Sequence, residues 1–224
     1  MSPRPFLFAA ALAALAPAAT AQTTFGLKAG LNVSTITLDD DAEALFDAAG
    51  VEIQPRLGLV AGVFANLPLT PQLSLRPEVL FAQKGYTLSA ADEDFDFSVT
   101  QQIDYVEVPL MLNYRALVGQ NGLAIGVEAG PTFAYKVSTG TSCSGDDSVP
   151  ALCDDFDTPE NGDDGVRDYD LSGALGLTVG AGPFDVGARY TQGLTTIDDT
   201  EGQEDEQDNN IRNRTFSFTA AYSF

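Results

Sequence analysis

Residues Thr215 to Phe224 read TFSFTAAYSF. Phe216, Phe218, Ala220, Tyr222 and Phe224 fall on one parity, and Thr215, Ser217, Thr219, Ala221 and Ser223 on the other. That period of two predicts a strand with one apolar and one polar face. A soluble sandwich or lipocalin-like barrel also contains such strands. Aromatic residues along the apolar face and at its end fit a barrel wall in a bilayer better, because that wall needs an apolar side toward lipid, a polar side toward the lumen and aromatic residues at the border. The stretch therefore predicts the closing strand of an outer-membrane barrel.

At the other end, Arg4 is followed by an apolar run from Phe6 to Leu15 and by Ala19-Thr20-Ala21. A basic start, a short apolar core and an A-x-A-like site predict a secretory signal peptide cut after Ala21, too short to span a bilayer as a helix. The expected organisation is a signal peptide over 1–21 and one barrel domain over 22–224. No later apolar run is long enough for a spanning helix, so a membrane-embedded form of this chain must be a closed barrel.

Alternation continues between these ends. Phe25, Leu27, Ala29, Leu31 and Val33 interleave with Gly26, Lys28, Gly30, Asn32 and Ser34, and Leu57, Leu59, Ala61, Val63 and Ala65 with Arg56, Gly58, Val60, Gly62 and Phe64. Further runs carry Leu73, Leu75, Val79 and Phe81, then Val106 to Tyr114, Leu123 to Val137, Tyr169 to Ala181 and Phe184 to Tyr190. Connections are long after the first, third, fifth and seventh runs, and short at Leu67–Pro71, Ala116–Gly122 and Gly182-Pro183. The predicted fold class is all-β: an eight-stranded antiparallel transmembrane β-barrel with short periplasmic turns and long acidic external loops.

The polar parity carries Lys28, Arg56, Arg76, Glu78, Lys84, Glu107, Arg115, Glu128, Lys136, Asp170, Asp185 and Arg189. Charges of both signs are expensive in a dry core unless they pair, so these twelve residues are expected to face the lumen as a salt-bridged network. An eight-stranded barrel is just wide enough for side chains to fill it. A filled lumen is thus expected over an open pore.

The formal net charge is −21, and all but six of the 32 acidic residues lie in the four long connections, around Asp39–Glu52, Asp92–Asp96, Asp146–Asp168 and Asp198–Asp208. Nucleic acid is excluded as a partner for such a surface. No cofactor is expected. Calcium at Asp154–Asp157 or Asn161–Gly165 is a weaker option, because neither segment has the spacing of a known calcium loop. Outer-membrane lipid and lipopolysaccharide, the latter bridged by loosely held divalent ions, are expected partners. So is the barrel assembly machinery, acting through the closing strand that ends at Phe224, and a protein partner at the external loops remains open.

Cys143 and Cys153 lie close together in a polar segment of a chain with no His and no CxxC spacing, so a loop-pinning disulfide is expected rather than a metal site. The missing His also removes the general base of most nucleophilic hydrolases and the His ligands of catalytic zinc. The glycine-rich run from Gly173 to Gly182 lacks a phosphate-loop pattern. No catalytic activity is expected.

Gly58 to Leu88, Tyr105 to Tyr114 (YVEVPLMLNY), Glu128 to Val137 (EAGPTFAYKV) and Ala188 to Ile197 (ARYTQGLTTI) together resemble the PorT-like outer-membrane barrel family of the Bacteroidetes and their relatives. The Tyr-x-Glu-x-Pro strand is the most specific element. The resemblance implies an integral barrel in the outer membrane of a Gram-negative bacterium and, in the family's namesake, a part in protein secretion. The expected function is a structural or interaction role, with two alternatives: a narrow channel or accessory secretion component, and a soluble lipocalin-like binding barrel.

Overall fold

A computed structural model describes residues 22–38, 50–92, 95–118, 122–145, 166–197 and 211–224, together with 44, 46 and 48. The eight strands are β1 (Thr24–Thr37), β2 (Val51–Pro68), β3 (Leu73–Asp92), β4 (Phe95–Val118), β5 (Leu123–Gly145), β6 (Tyr169–Ala181), β7 (Phe184–Gly193) and β8 (Arg212–Ser223). Each pairs antiparallel with the next, and β8 returns to β1, from Gly26↔Ser223 to Thr37↔Arg212. The ring has no free edge at that seam, so the strands that line a bilayer pair on both sides within the chain, as a bilayer interior demands.

Parity decides what faces where. Leu27 and Tyr222, Leu31 and Phe218, and Val33 and Phe216 are register partners on the outer wall, and Phe216, Phe218 and Leu57 are 49%, 56% and 69% exposed. A soluble barrel would not leave such a continuous apolar wall in water, so the lipocalin-like alternative is disfavoured. Phe25 to Val33 covers about 26 Å of strand and, at a tilt of ~40°, about 20 Å of height, close to the ~25 Å apolar band of outer-membrane barrels. Paired rings mark both margins: Phe184 and Tyr222 have centroids 5.1 Å apart beside the last short turn, and Tyr190 and Phe216 stand 4.9 Å apart at the opposite end.

The short turns all lie at one end. The first is fastened by Thr70, whose Oγ1 accepts from the backbone N–H of Leu73 at 3.0 Å and of Gln72 at 3.3 Å. The last is the two-residue Gly182-Pro183 link, where Gly182 takes a φ of 59°, a left-handed value that suits glycine.

At the other end the strands run further than alternation alone suggests. A long loop is expected after the third run, yet β3 and β4 stay in register out to Asp92↔Phe95, β4 and β5 to Phe97↔Gly145, and β2 and β3 to Val51↔Ala90. Polar cross-strand bonds hold this extension: Gln54 Nε2 to Ser89 Oγ at 2.9 Å, the hydroxyls of Thr87 and Thr100 at 2.9 Å, and Thr141 Oγ1 to Gln101 Oε1 at 2.7 Å. One face there carries Thr87, Ser89 and Thr100, and on the other Gln101 interrupts Tyr86, Leu88 and Val99, so the apolar-polar contrast weakens while the ladder continues. From Lys84 to Asp92 the extension adds about 26 Å of strand. On the opposite side, β6 begins only at Tyr169, β7 ends at Gly193 and β8 begins at Arg212.

Candidate functional site

The inward side chains form layers along the barrel axis. In the middle layer Glu78 on β3 accepts from Lys28 on β1 and from Arg189 on β7, whose Nη1 and Nη2 stand 2.8 and 3.0 Å from its two oxygens. Arg189 also donates to Glu128 on β5 at 2.7 Å. All four residues are buried or nearly so, with side chains at most 10% exposed. In a ring of eight, β3 and β7 are diametrically opposite, so the Arg189–Glu78 bonds bridge the full width of the interior. Two bases and two carboxylates leave this layer neutral, the condition under which buried charges are tolerated.

Nearer the short turns, Asp185 on β7 pairs with Arg115 on β4 and lies 3.6 Å from Arg76 on β3. Arg76 also stacks over the Phe64 ring, 4.8 Å from its centroid. Toward the far rim, Lys84 Nζ stands 2.5 Å from Glu107 Oε1 and 5.4 Å from the Tyr105 ring. Asp170 is held by neutral partners: Ser172 and Thr195 hydroxyls at 3.2 and 3.1 Å and Asn213 Nδ2 at 3.0 Å. Asn213 on β8 also reaches the Tyr105 hydroxyl on β4 at 3.4 Å, a second contact between opposite strands. Lys136 sits at the rim, with Asp168 at 3.4 Å and the Val166 carbonyl as acceptor.

Arg56 stands apart from these layers. It lies where the β2–β3 register shifts between Pro55 and Val60, passes over Gly85, and donates to Gln102 Oε1 at 2.5 Å and to the Lys84 carbonyl at 3.2 Å. Gln102 in turn donates to Asp104. The shift turns the strand enough that parity counted through it does not place this arginine with the ion pairs.

Two features have no counterpart in the sequence reading. Ile36, Ile103, Tyr105, Ala134 and Ile197 form a buried apolar cluster inside the barrel below the far rim, with Leu38, Ile53, Tyr86, Val166 and Ile211 packed against it. Toward the loops the interior thus combines this apolar cluster with the Lys84–Glu107 pair, whose ammonium lies 5.4 Å from the Tyr105 ring. The second feature is Arg212 and Arg214, which share the outward parity of Phe216 and stand opposite Thr37 and Thr35. The signal for both was parity in segments just beyond the assigned runs.

The profile of the outer membrane protein beta-barrel domain family matches residues 20–199. The chain belongs to that family. Solved structures similar to it include Ail, the attachment invasion locus protein of Yersinia pestis, at 13% identity with 91% of this chain and 99% of that one covered and a TM-score of 0.42. Neisserial surface protein A matches at 12% identity, with 91% and 99% covered and a TM-score of 0.43. OprG of Pseudomonas aeruginosa matches at 14%, with 90% and 95% covered and a TM-score of 0.41. No curated protein matches the chain.

Family membership places the barrel in the outer membrane. Barrels of this kind keep short turns on the periplasmic side and longer connections outside, which sets the β2–β5 extension outside the cell. Cys143 sits on this extension opposite Val99. Cys153, the signal segment 1–21 and the aspartate-rich segments 154–157 and 161–165 lie outside the described residues. Among the described residues no group of three or more His, Cys, Asp or Glu side chains is placed to hold a metal ion.

Proposed function

We propose that this barrel is a non-catalytic anchor that carries an acidic, strand-built projection outside the cell and passes no solute through its interior. The observation that carries the reading is the pair of hydrogen bonds from Arg189 to Glu78 across the full diameter of the ring. The apolar cluster around Ile103 and Tyr105 stands above them, so an ion entering from outside meets dry apolar side chains and then a neutral ionic plug. The chain has a net charge of −21 and an acidic 92–96 sequence, which suit a basic protein surface or a cation-bridged lipopolysaccharide phosphate as partner and repel nucleic acid. The family resemblance keeps an accessory part in secretion as the alternative, with the barrel again acting as anchor rather than conduit.

The test is conductance. Purified protein reconstituted in planar bilayers is expected to give a silent membrane at ±100 mV. Discrete steps at single-molecule dilution would overturn the anchor and establish a narrow channel.

A further inference from the structure

At the short-turn end the charges inside the barrel do not balance. Arg76 and Arg115 share a single carboxylate, Asp185. The next layer inward is neutral, because Lys28 and Arg189 are matched by Glu78 and Glu128. The other five acidic residues outside the long connections, Glu78, Asp104, Glu107, Glu128 and Asp170, all lie further from the turns. A chain of net charge −21 thus keeps one surplus positive charge inside its periplasmic mouth.

Of the two guanidiniums, Arg76 is the poorly served one. Arg115 Nη2 donates to Asp185 Oδ1, and both atoms lie against the inner face of Gly180, where a Cβ would come within 2.8 Å of Arg115 Nη2. Asp185 is thereby drawn away from Arg76, whose Nη2 stands 3.6 Å from Oδ2, beyond hydrogen-bond reach. Its other polar contact is a long one, from Nε to Asn66 Oδ1 at 3.4 Å. Yet the Arg76 side chain is only 3% exposed, with its guanidinium over the Phe64 ring. A guanidinium carries five N–H donors, and burying it with so few acceptors is costly unless an anion reaches it.

The surroundings supply donors rather than acceptors. Asn66 Oδ1 is taken by Ser74 as well as by Arg76, which leaves the amide NH2 of Asn66 as a further donor. Thr178 Oγ1 lies over Gly126, the register partner of Arg115, and is buried with no hydrogen-bond partner. Arg115 itself is 33% exposed and opens the site to the periplasm. Above, the Arg189–Glu78 bonds close it.

We infer that this vestibule binds one small oxyanion of phosphate or sulfate size from the periplasm, with Arg76 and Arg115 taking its oxygens and Thr178 and the Asn66 amide adding neutral donors. Arginine suits the role because its planar fork meets an oxyanion with two parallel N–H bonds. The donors stand on the inner wall while lipid lies against the outer one, so the ligand is a free anion and not a lipid headgroup. Asp185 competes with it for both guanidiniums and so moderates its affinity. Glu78 and Glu128 repel it from the next layer, so the anion enters and leaves by the same mouth. The inference goes beyond the anchor reading: it rests on a closed barrel with its turns in the periplasm, and it stands whether or not the interior conducts.

The test is calorimetric titration of the full processed chain in dodecyl maltoside with inorganic phosphate, at constant ionic strength set by chloride. Wild type is expected to bind one phosphate saturably, with sulfate competing and chloride not. R115Q is expected to bind about tenfold more weakly, and R76Q at least tenfold more weakly. D185N, which releases both guanidiniums, is expected to bind about tenfold more tightly, a gain that a purely structural ion cluster would not give. Heat-modifiable gel mobility reports whether each variant is a closed barrel; if R76Q does not close, R115Q and D185N decide. Absence of saturable phosphate binding by wild type would overturn the inference without reference to any variant. So would closed R115Q that binds as wild type does, closed D185N that binds no more tightly, or displacement of phosphate by phosphatidylglycerol added to the micelles.

Discussion

Glu78→Gln tests whether charge balance, rather than shape, holds the interior. The substitution keeps the side-chain volume and removes one negative charge from a position with no side-chain exposure. Glu78 is the acceptor for Lys28 and for two N–H groups of Arg189, at 2.8 and 3.0 Å. Without it, two buried cations face a single carboxylate, Glu128, and an uncompensated buried charge of this kind costs about 3–5 kcal/mol. That is about a hundred- to several-thousand-fold in the unfolding equilibrium. Lys28→Met added to Glu78→Gln removes the surplus cation and leaves the Arg189–Glu128 pair, with its 2.7 Å bond, neutral. The double variant is therefore expected to recover at least about 2 kcal/mol relative to Glu78→Gln alone. The chain has no Trp, so urea unfolding in detergent is followed by the far-ultraviolet strand signal, with the compact gel band as a second probe. A loss below about 1 kcal/mol for the single variant, or a double variant less stable than the single, refutes charge balance as the cause.

Two further outcomes are expected. Gly30→Val at the β1–β8 seam drives a Cβ into the Phe218 carbonyl and to 2.8 Å from Thr219 Cα, so the compact band is lost, whereas Gly173→Ala, with nothing within 4 Å of its new Cβ, keeps it; equal bands would show that the seam yields. Alkylation of denatured, unreduced protein is expected to leave both Cys143 and Cys153 unmodified and, after reduction, to add two groups; labelling without reductant would sink the proposed disulfide.

Strand identity and facing were legible because a bilayer wall imposes the strongest contrast a strand can carry. From Tyr169 to Ala181 the period of two runs unbroken, and β6 occupies those residues. Where the contrast fades, the reading fades too. Thr87 and Ser89 pair with Thr100 and Ser98 on one face, and Gln101 interrupts Tyr86, Leu88 and Val99 on the other, so the extension of β3 and β4 looked like loop. Arg56 was assigned by parity, and the register shift beside it breaks the count. The apolar cluster under the rim went unseen because Ile36 and Ile103 face inward at positions where a lumen is expected to be polar. Arg212 and Arg214 escaped notice because the closing strand seemed to start at Thr215, three residues after β8 begins.

The unequal strand lengths give the protein a front and a back within the plane of the membrane. On one side β2 to β5 rise into a tall parapet, while among the described residues the strands β6 to β8 and β1 end sooner. A neighbour drifting toward the tall side meets a polar, strand-built sheet standing clear of the lipid, and one approaching from the other side meets the wall of β8 that carries Arg212 and Arg214. The barrel is thus a polarised object in two dimensions. A copy held by the shorter strands will present its parapet in a fixed direction along the cell surface.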